Sequence, residues 1–444
     1  MNYDLTKLTL IYSLFGFLIL IGVCLILYLP RLIAWFAPLK KQKHFINDKK
    51  NRFAILVPAR NESKVIEGLL DDLKNQTYDH DFYDVHIIVK DKNDKTIEIA
   101  KKYRNTIVHI VESQKCKGDA LNNAIHDIFK VYGRKYYDAY LVMDADCWMD
   151  KNCLEELNNA FKSGRQVIQC KKLVKNYYME NKKISLQAAC NGIIWTLIDE
   201  MGNRFKSDHN ITAMTIGTGI CFRNDVINKI DGWPYNQTLT EDIEFMFDAC
   251  LRDFTTYYCS YAKIYMEEAP TLEDTNKRRN RWMNGVCSSK RIYNRRLSDE
   301  CITLKEKINR YYCKALWIVY WLIGLSVVYF ILNALISVYL LIILSDLVWF
   351  SLLNCLVSFG IIFLSFFLMT LCAMIIDNKN IKLKWYNKLL LLFTHPFFYM
   401  GYIKIVFKAL FLRKNKGWEV IQRIEDVKKW WKNLWEIELL LLKK

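Results

Sequence analysis

Asp144 and Asp146 flank Ala145 directly after the apolar run Ala139-Tyr140-Leu141-Val142-Met143. Side chains alternate along an extended chain, so the two carboxylates face the same way if strand geometry continues through Asp146. Paired hard oxygen ligands suit Mg2+ or Mn2+ carrying the phosphates of a substrate. A chain with 46 Asp and Glu also produces such a pair by chance, and a turn or a helix cap accounts for it too. Its meaning rests on the elements around it.

Over about residues 52–284 short apolar runs alternate with polar helical stretches, the pattern of an α/β domain with a largely parallel sheet. Residues 53–57 are the first expected strand, which stops at Pro58 because proline has no amide to give a ladder. Asn61-Glu62-Ser63 offers capping groups for a helix running to about Lys74. Further strands are expected over 85–89, 107–111 and 140–143. Ligands of open α/β sheets sit beyond the carboxyl ends of the strands, so residues 58–62, 91–94 and 144–146 should line one crevice. The chain contains no GxGxxG or Walker sequence, which argues against a dinucleotide or P-loop site.

The flanks are apolar in blocks. Residues 8–29 form a run long enough for the ~20 residues that cross a bilayer core, without the charged start or small-x-small site of a cleaved signal peptide. Residues 315–344 and 347–376 read as a membrane hairpin turning at Ser345-Asp346. Residues 389–412, interrupted by Pro396, Lys404 and Lys408, fit a helix lying in the interface. Lysines and arginines cluster after the first run, before the second and after the third, flanks that the positive-inside rule assigns to the cytoplasm. The expectation is a multi-pass plasma-membrane protein with a cytoplasmic catalytic domain. It comprises a transmembrane helix and basic linker (1–50), the α/β domain (51–290), interfacial and transmembrane helices (291–412) and a basic amphipathic tail (413–444). The net charge of +17 then faces anionic membrane lipids, and nucleic acid is not needed as a partner. The 14 cysteines include no Cys-x-x-Cys pair and read as reduced and structural.

Further along stand Gly217-Thr218-Gly219-Ile220-Cys221-Phe222-Arg223, Asp231-Gly232-Trp233-Pro234, Thr240-Glu241-Asp242 and Arg278-Arg279-Asn280-Arg281-Trp282. With Asp144-Ala145-Asp146 ahead of them, and apolar blocks on both sides, this ordered set resembles the membrane-bound family 2 glycosyltransferases. Cellulose, hyaluronan and poly-N-acetylglucosamine synthases are familiar members. The resemblance implies an α/β GT-A (Rossmann-like) fold and inverting transfer from a UDP-sugar donor with Mg2+ or Mn2+. It places the Ala59 backbone and Glu62 near uridine, Asp91 or Asp94 at the base, and Lys117 of Lys117-Gly118-Asp119-Ala120-Leu121-Asn122 near the diphosphate.

By the same resemblance Asp146 contacts the metal directly, and Asp144 the ribose or the metal shell. Asp242 is the general base for the acceptor hydroxyl, with Glu241 in support. Arg281 meets the diphosphate, Trp282 is a platform beneath the acceptor sugar, and Gly217 and Gly219 let the backbone approach that sugar. Arg278 stands where the family has glutamine, and a guanidinium cannot accept a hydrogen bond. That departure weakens processive elongation more than transfer itself. Trp418 with Arg423 matches the family's C-terminal gating segment only loosely, and the tail reads as a surface helix.

The expected activity is elongation of a polysaccharide from a UDP-sugar, on a carbohydrate or lipid-linked acceptor, with membrane lipids around it and an accessory membrane subunit left open. Single-sugar transfer to a lipid is the alternative within the same chemistry. A non-catalytic membrane scaffold is the alternative outside it.

Overall fold

The computed structural model describes residues 33–179, 183–298, 303–314, 318–342 and 348–411, with a few isolated positions nearer the N-terminus. The expected first span, the Ser345-Asp346 turn and the tail with Trp418 and Arg423 lie outside the described residues.

The chain enters its sheet through β1 (Phe53–Pro58), α1 (Ile66–Lys74), β2 (Tyr83–Val89), α2 (Thr96–Ala100), β3 (Thr106–Ile110), α3 (Lys117–Tyr132) and β4 (Ala139–Val142). These four strands pair in parallel, as their helical crossovers require. Next come β5 (Trp148–Met149), α4 (Cys153–Phe161), β6 (Val167–Val174), α5 (Leu186–Ile198), α6 (Arg204–Asp208), β7 (Ile220–Arg223), α7 (Asn224–Ile230), α8 (Glu241–Leu251) and β8 (Thr256–Met266). The sheet order is β3-β2-β1-β4-β7-β6-β8-β5. Strand β7 runs antiparallel to both β4 and β6, while β8 is parallel to β6 and antiparallel to β5. The sheet is therefore mixed rather than largely parallel. The sequence of a short buried strand such as β7 carries no direction; the side from which the chain returns sets it.

Alternation along the central strands builds two cores. Phe53, Ile55 and Val57 pack on one face with α1, α4 and α5, and Ala54 and Leu56 pack on the other with α3, α7 and α8. Burial on both faces is what a strand between two helical layers requires. On α3, Ala120, Leu121, Ala124, Ile125 and Ile128 recur at helical spacing and are all buried. The basic linker is no loose tether: Gln42 donates to the Tyr258 carbonyl at 2.6 Å and accepts from the Ser260 amide at 2.8 Å.

Beyond the sheet lie α9 (Leu272–Ser298), α10 (Leu304–Lys314), α11 (Ile318–Ile342), α12 (Val348–Ile376), α13 (Trp385–Met400) and α14 (Tyr402–Phe411). Among the described residues Trp385–Val406 is long and apolar enough to cross a membrane, and Val328–Ile342 and Phe363–Ile376 are shorter apolar stretches. The expected interfacial segment is thus two helices parted at Gly401.

The α/β domain grips this apolar block through buried charge. Lys171 on β6 meets Glu200 at 2.6 Å and Asp377, just past α12, at 2.7 Å. Thr196 donates to Asp377 at 3.1 Å and Tyr258 to Glu200 at 2.9 Å. A π-helical turn, Asp199–Asn203, extends α5 and sets Asp199 against Lys172 at 3.0 Å.

Candidate active site

The loops leaving β1 and β2 lock one another. The Ala59 amide donates to the Ile88 carbonyl at 2.8 Å, so it is committed to the sheet rather than offered to a base. Asn61 takes a left-handed φ of 59°, and its amide donates to Asp94 Oδ2 at 2.7 Å. Asp94 Oδ1 accepts from the Thr96 amide at 2.9 Å, and the Glu62 amide donates to Thr96 Oγ1 at 3.2 Å. Asn61-Glu62-Ser63 therefore does not cap α1 through side chains: the helix begins at Ile66 with no side-chain cap. The Glu62 carbonyl accepts from the amides of Val65 and Ile66 instead.

This geometry separates Asp91 from Asp94. Asp94 is a buried clamp, whereas Asp91 is exposed and bonded only locally, to the Asn93 amide at 2.8 Å. Both line a cleft of about 360 Å³ with Arg60, Asn61, Lys90, Lys92 and Glu112, but Asp94's oxygens are already taken by the Asn61 and Thr96 amides.

At the end of β4 the backbone turns instead of continuing extended. The Cys147 amide donates to the Asp144 carbonyl at 3.1 Å, and that turn, not strand alternation, brings Asp144 and Asp146 together. Ligand atoms of Asp144, Asp146 and Cys147 lie within 4.8 Å of one another, so the two carboxylates fit a single hard cation of the Mg2+ or Mn2+ type. Thr218 holds the turn by accepting from the Asp144 amide at 3.0 Å. Lys175 supports it from below, donating to the Asp146 carbonyl at 2.8 Å.

Lys117 opens α3, where the helix dipole disfavours a cation. Carboxylates reverse that preference. Its ammonium meets Asp144 Oδ1 at 2.6 Å and Glu241 Oε1 at 3.4 Å. Burial pulls the Lys117 pKa down, but Asp144, Glu241 and Asp242 outweigh it and hold the group well above the ordinary range. Gly118 is needed beside it, because a Cβ there would run into the Tyr235 carbonyl.

Asp242 sits in the first turn of α8. The Gly217 amide donates to its Oδ2 at 2.8 Å and the Ile243 amide to its Oδ1 at 2.9 Å. Burial, and then the neighbouring Glu241, push its carboxyl up to about 7 against the pull of Lys117 and the two amides. Residues 217 and 218 thus tie the two carboxylate groups to one loop. Gly217 faces Asp242, whereas Gly219 does not face the cleft: a Cβ there, at φ 72°, would press on Ile264 and Cys170 in the sheet. Its amide and carbonyl are also spent on Val142 and Cys170. Gly219 is therefore a packing residue and not an acceptor contact.

Helix α9 brings in the last group. Burial and the nearby Arg278 pull the Arg281 pKa down, while Glu241, Asp144 and Asp242 pull it back, which sets this guanidinium beside the acidic cluster. Trp282 packs edge-on against Trp195 at 6.0 Å, and Arg278 lies over its ring at 5.1 Å. Glu268 and Trp195 are site residues that sequence reasoning missed. The doubled carboxylate Glu267-Glu268 ahead of an arginine run was a signal for the first. Trp195 sits in an apolar helix and offered none.

The sequence pattern of glycosyl transferase family group 2 matches residues 140–376, which include Asp144, Asp146, Asp242, Arg281 and Trp282. The chain belongs to this family. It is 23% identical over 250 residues to the probable glycosyltransferase YdaM of Bacillus subtilis, covering 53% of this chain and 55% of the relative. It is 24% identical over 282 residues to a beta-monoglucosyldiacylglycerol synthase of a Nostoc species, covering 61% and 56%. The group 2 chain thus spans about half the length of the curated relatives it matches. Its fold is also that of the mannosyltransferase PcManGT from Pyrobaculum calidifontis, solved with GDP-Man and Mn2+. The match has a TM-score of 0.59 at 13% identity and covers 89% of this chain and 99% of that one.

Proposed function

We propose that this chain is an inverting, cation-dependent glycosyltransferase. It takes a UDP-sugar at the cytoplasmic face of the plasma membrane and adds the sugar to a growing polysaccharide. One observation carries the chemistry: Lys117 bridges Asp144 and Glu241, with the base candidate Asp242, its pKa near 7, in the same charge cluster. In this reading Asp91 meets the base of the nucleotide, and Lys117 and Arg281 meet the diphosphate. An Asp242 oxygen takes the proton of an acceptor hydroxyl as that oxygen attacks the anomeric carbon from the face opposite the departing nucleotide. Asp144 and Asp146 would hold Mg2+ or Mn2+, whose charge offsets that of the leaving diphosphate when bound. The GDP-Man and Mn2+ of the mannosyltransferase are consistent with a nucleoside-diphosphate sugar as donor and a divalent cation as cofactor, and do not bear on the choice of uridine.

The membrane placement draws on α11 and α12, which have 25 and 29 residues and expose Leu332, Leu335, Leu353 and Leu356. At 1.5 Å per residue both exceed the ~30 Å of a bilayer core. A second reading, single transfer to a membrane lipid, is favoured by Arg278 in place of a neutral amide and by the lipid product named for the Nostoc relative. Membranes containing the protein are incubated with labelled UDP-glucose, UDP-N-acetylglucosamine or GDP-mannose. A high-mass ladder supports elongation, and one lipid-soluble species supports single transfer. Nucleotide release should stop with chelator and return with Mg2+ or Mn2+. No release from any donor would leave only the scaffold.

A further inference from the structure

Trp282 is gripped on two sides, and one carboxylate holds both grips. Glu268, fully buried just past β8, accepts from Trp195 Nε1 at 2.7 Å on one oxygen. Its other oxygen accepts from Asn191 Nδ2 at 2.9 Å and Arg278 Nη1 at 3.2 Å. Trp195 is the ring standing edge-on to Trp282, and Arg278 is the cation above its face. The Glu268 backbone is fixed as well: Asn176 accepts from its amide at 2.8 Å and donates to its carbonyl at 2.6 Å. Arg278 also donates to the Glu267 carbonyl at 2.9 Å, so the guanidinium has one seat.

We propose that Glu268 is a positioning residue for the acceptor: through Trp195 and Arg278 it fixes the orientation of the Trp282 platform on which the acceptor sugar rests. This rests on the transferase reading above and deepens it. The unusual Arg278 then has a physical reason. A guanidinium in place of a neutral amide adds a charge beside Arg281, and Glu268 is the counter-charge that makes it tolerable at a partly buried position. Arg278 and Glu268 act as a unit, so each is harmful without the other, and a neutral pair can stand in for both. The pair's side-chain contacts lie with Trp195, Asn191 and Trp282 and not with Lys117 or Asp144, and it reaches Arg281 and Asp146 only as nearby charge.

The test compares wild type, Glu268→Gln, Arg278→Gln and the double variant in membranes. The donor is whichever of UDP-glucose, UDP-N-acetylglucosamine and GDP-mannose the wild type consumes. Three quantities are read: donor affinity, total nucleotide release, and the ratio of sugar transferred to sugar lost to water. Each single variant should lower the transfer-to-hydrolysis ratio about tenfold, as a mispositioned acceptor would, with donor affinity within about twofold of wild type. The double variant should recover to within about threefold, because neighbours acting as a unit are not additive. An unchanged ratio overturns the proposal. So does a parallel loss of donor affinity, or a double variant showing the product of the two single losses. In each of those cases an active wild type leaves the transferase reading standing. A wild type that consumes no donor overturns that reading, and this assignment with it.

Discussion

A carboxylate in the first turn of a helix ordinarily ionises easily, because the dipole favours the anion. Asp242 does the opposite: burial and Glu241 raise it to about 7 despite Lys117. Only the ionised form can take a proton, so transfer should fall as pH drops through about 7 and level off above it, visible in a pH profile of kcat/KM. Asp242→Asn should lower transfer by about 10²- to 10⁴-fold with donor binding retained, measured by nucleotide titration. Lys117 depresses the Asp242 pKa, so Lys117→Gln should move the acid limb to higher pH as well as weaken donor binding. The motif residues Asp144, Asp146, Lys117, Glu241 and Asp242 were all legible in the sequence. The roles of Ala59, Gly219 and Asp94 were not, because main-chain hydrogen bonds and the facing of a glycine depend on strands far away in the chain.

Helix α8 presents Asp242 only because α9 packs tightly against the turn before it. Gly285 on α9 lies against Thr240, and a Cβ there would overlap the threonine side chain. Ser289 meets Thr238 at 3.0 Å and Thr240 at 3.4 Å, fixing the entry to α8 from the same helix. Gly285→Ala should cost about 1 to 3 kcal/mol of stability by overpacking. It should also displace Asp242, so kcat should fall by more than the loss of folded protein explains; thermal melts read alongside rates give the comparison. The sequence announced α1 through the polar residues expected to open it. It could not announce this contact, since the packing of α8 on α9 joins segments separated by all of β8.

At the scale of the whole molecule, the buried Lys171, Glu200 and Asp377 cluster joins the α/β domain to the end of α12. Lys171→Met strands two carboxylates, Glu200 and Asp377, in a dry site without their cation and should cost about 3 to 5 kcal/mol. Asp377→Ala leaves the Lys171–Glu200 pair intact and should cost less, through the lost bonds from Lys171 and Thr196. In both variants limited proteolysis should find the linker after α12 cleaved faster than in wild type, Lys171→Met the more so. Parting these two bodies should also disturb Trp282, because α5 carries both Thr196 of the cluster and Trp195 of its platform.

The sequence by itself determined the α/β class, the parallel half of the sheet, the apolar flanks and the order of the catalytic motifs. Each of these is written in local periodicity or in short runs whose chemistry is local. Only the tertiary structure decided that the sheet is mixed, that a turn rather than a strand pairs Asp144 with Asp146, and that Asp94 is spent as a buried clamp while Asp91 stands exposed in the cleft. It alone showed that Glu268 answers the charge of Arg278. The physical reason is common to all four: a strand direction, a turn's closing hydrogen bond, a buried clamp and a counter-charge are each set by partners outside the local run that names the residue.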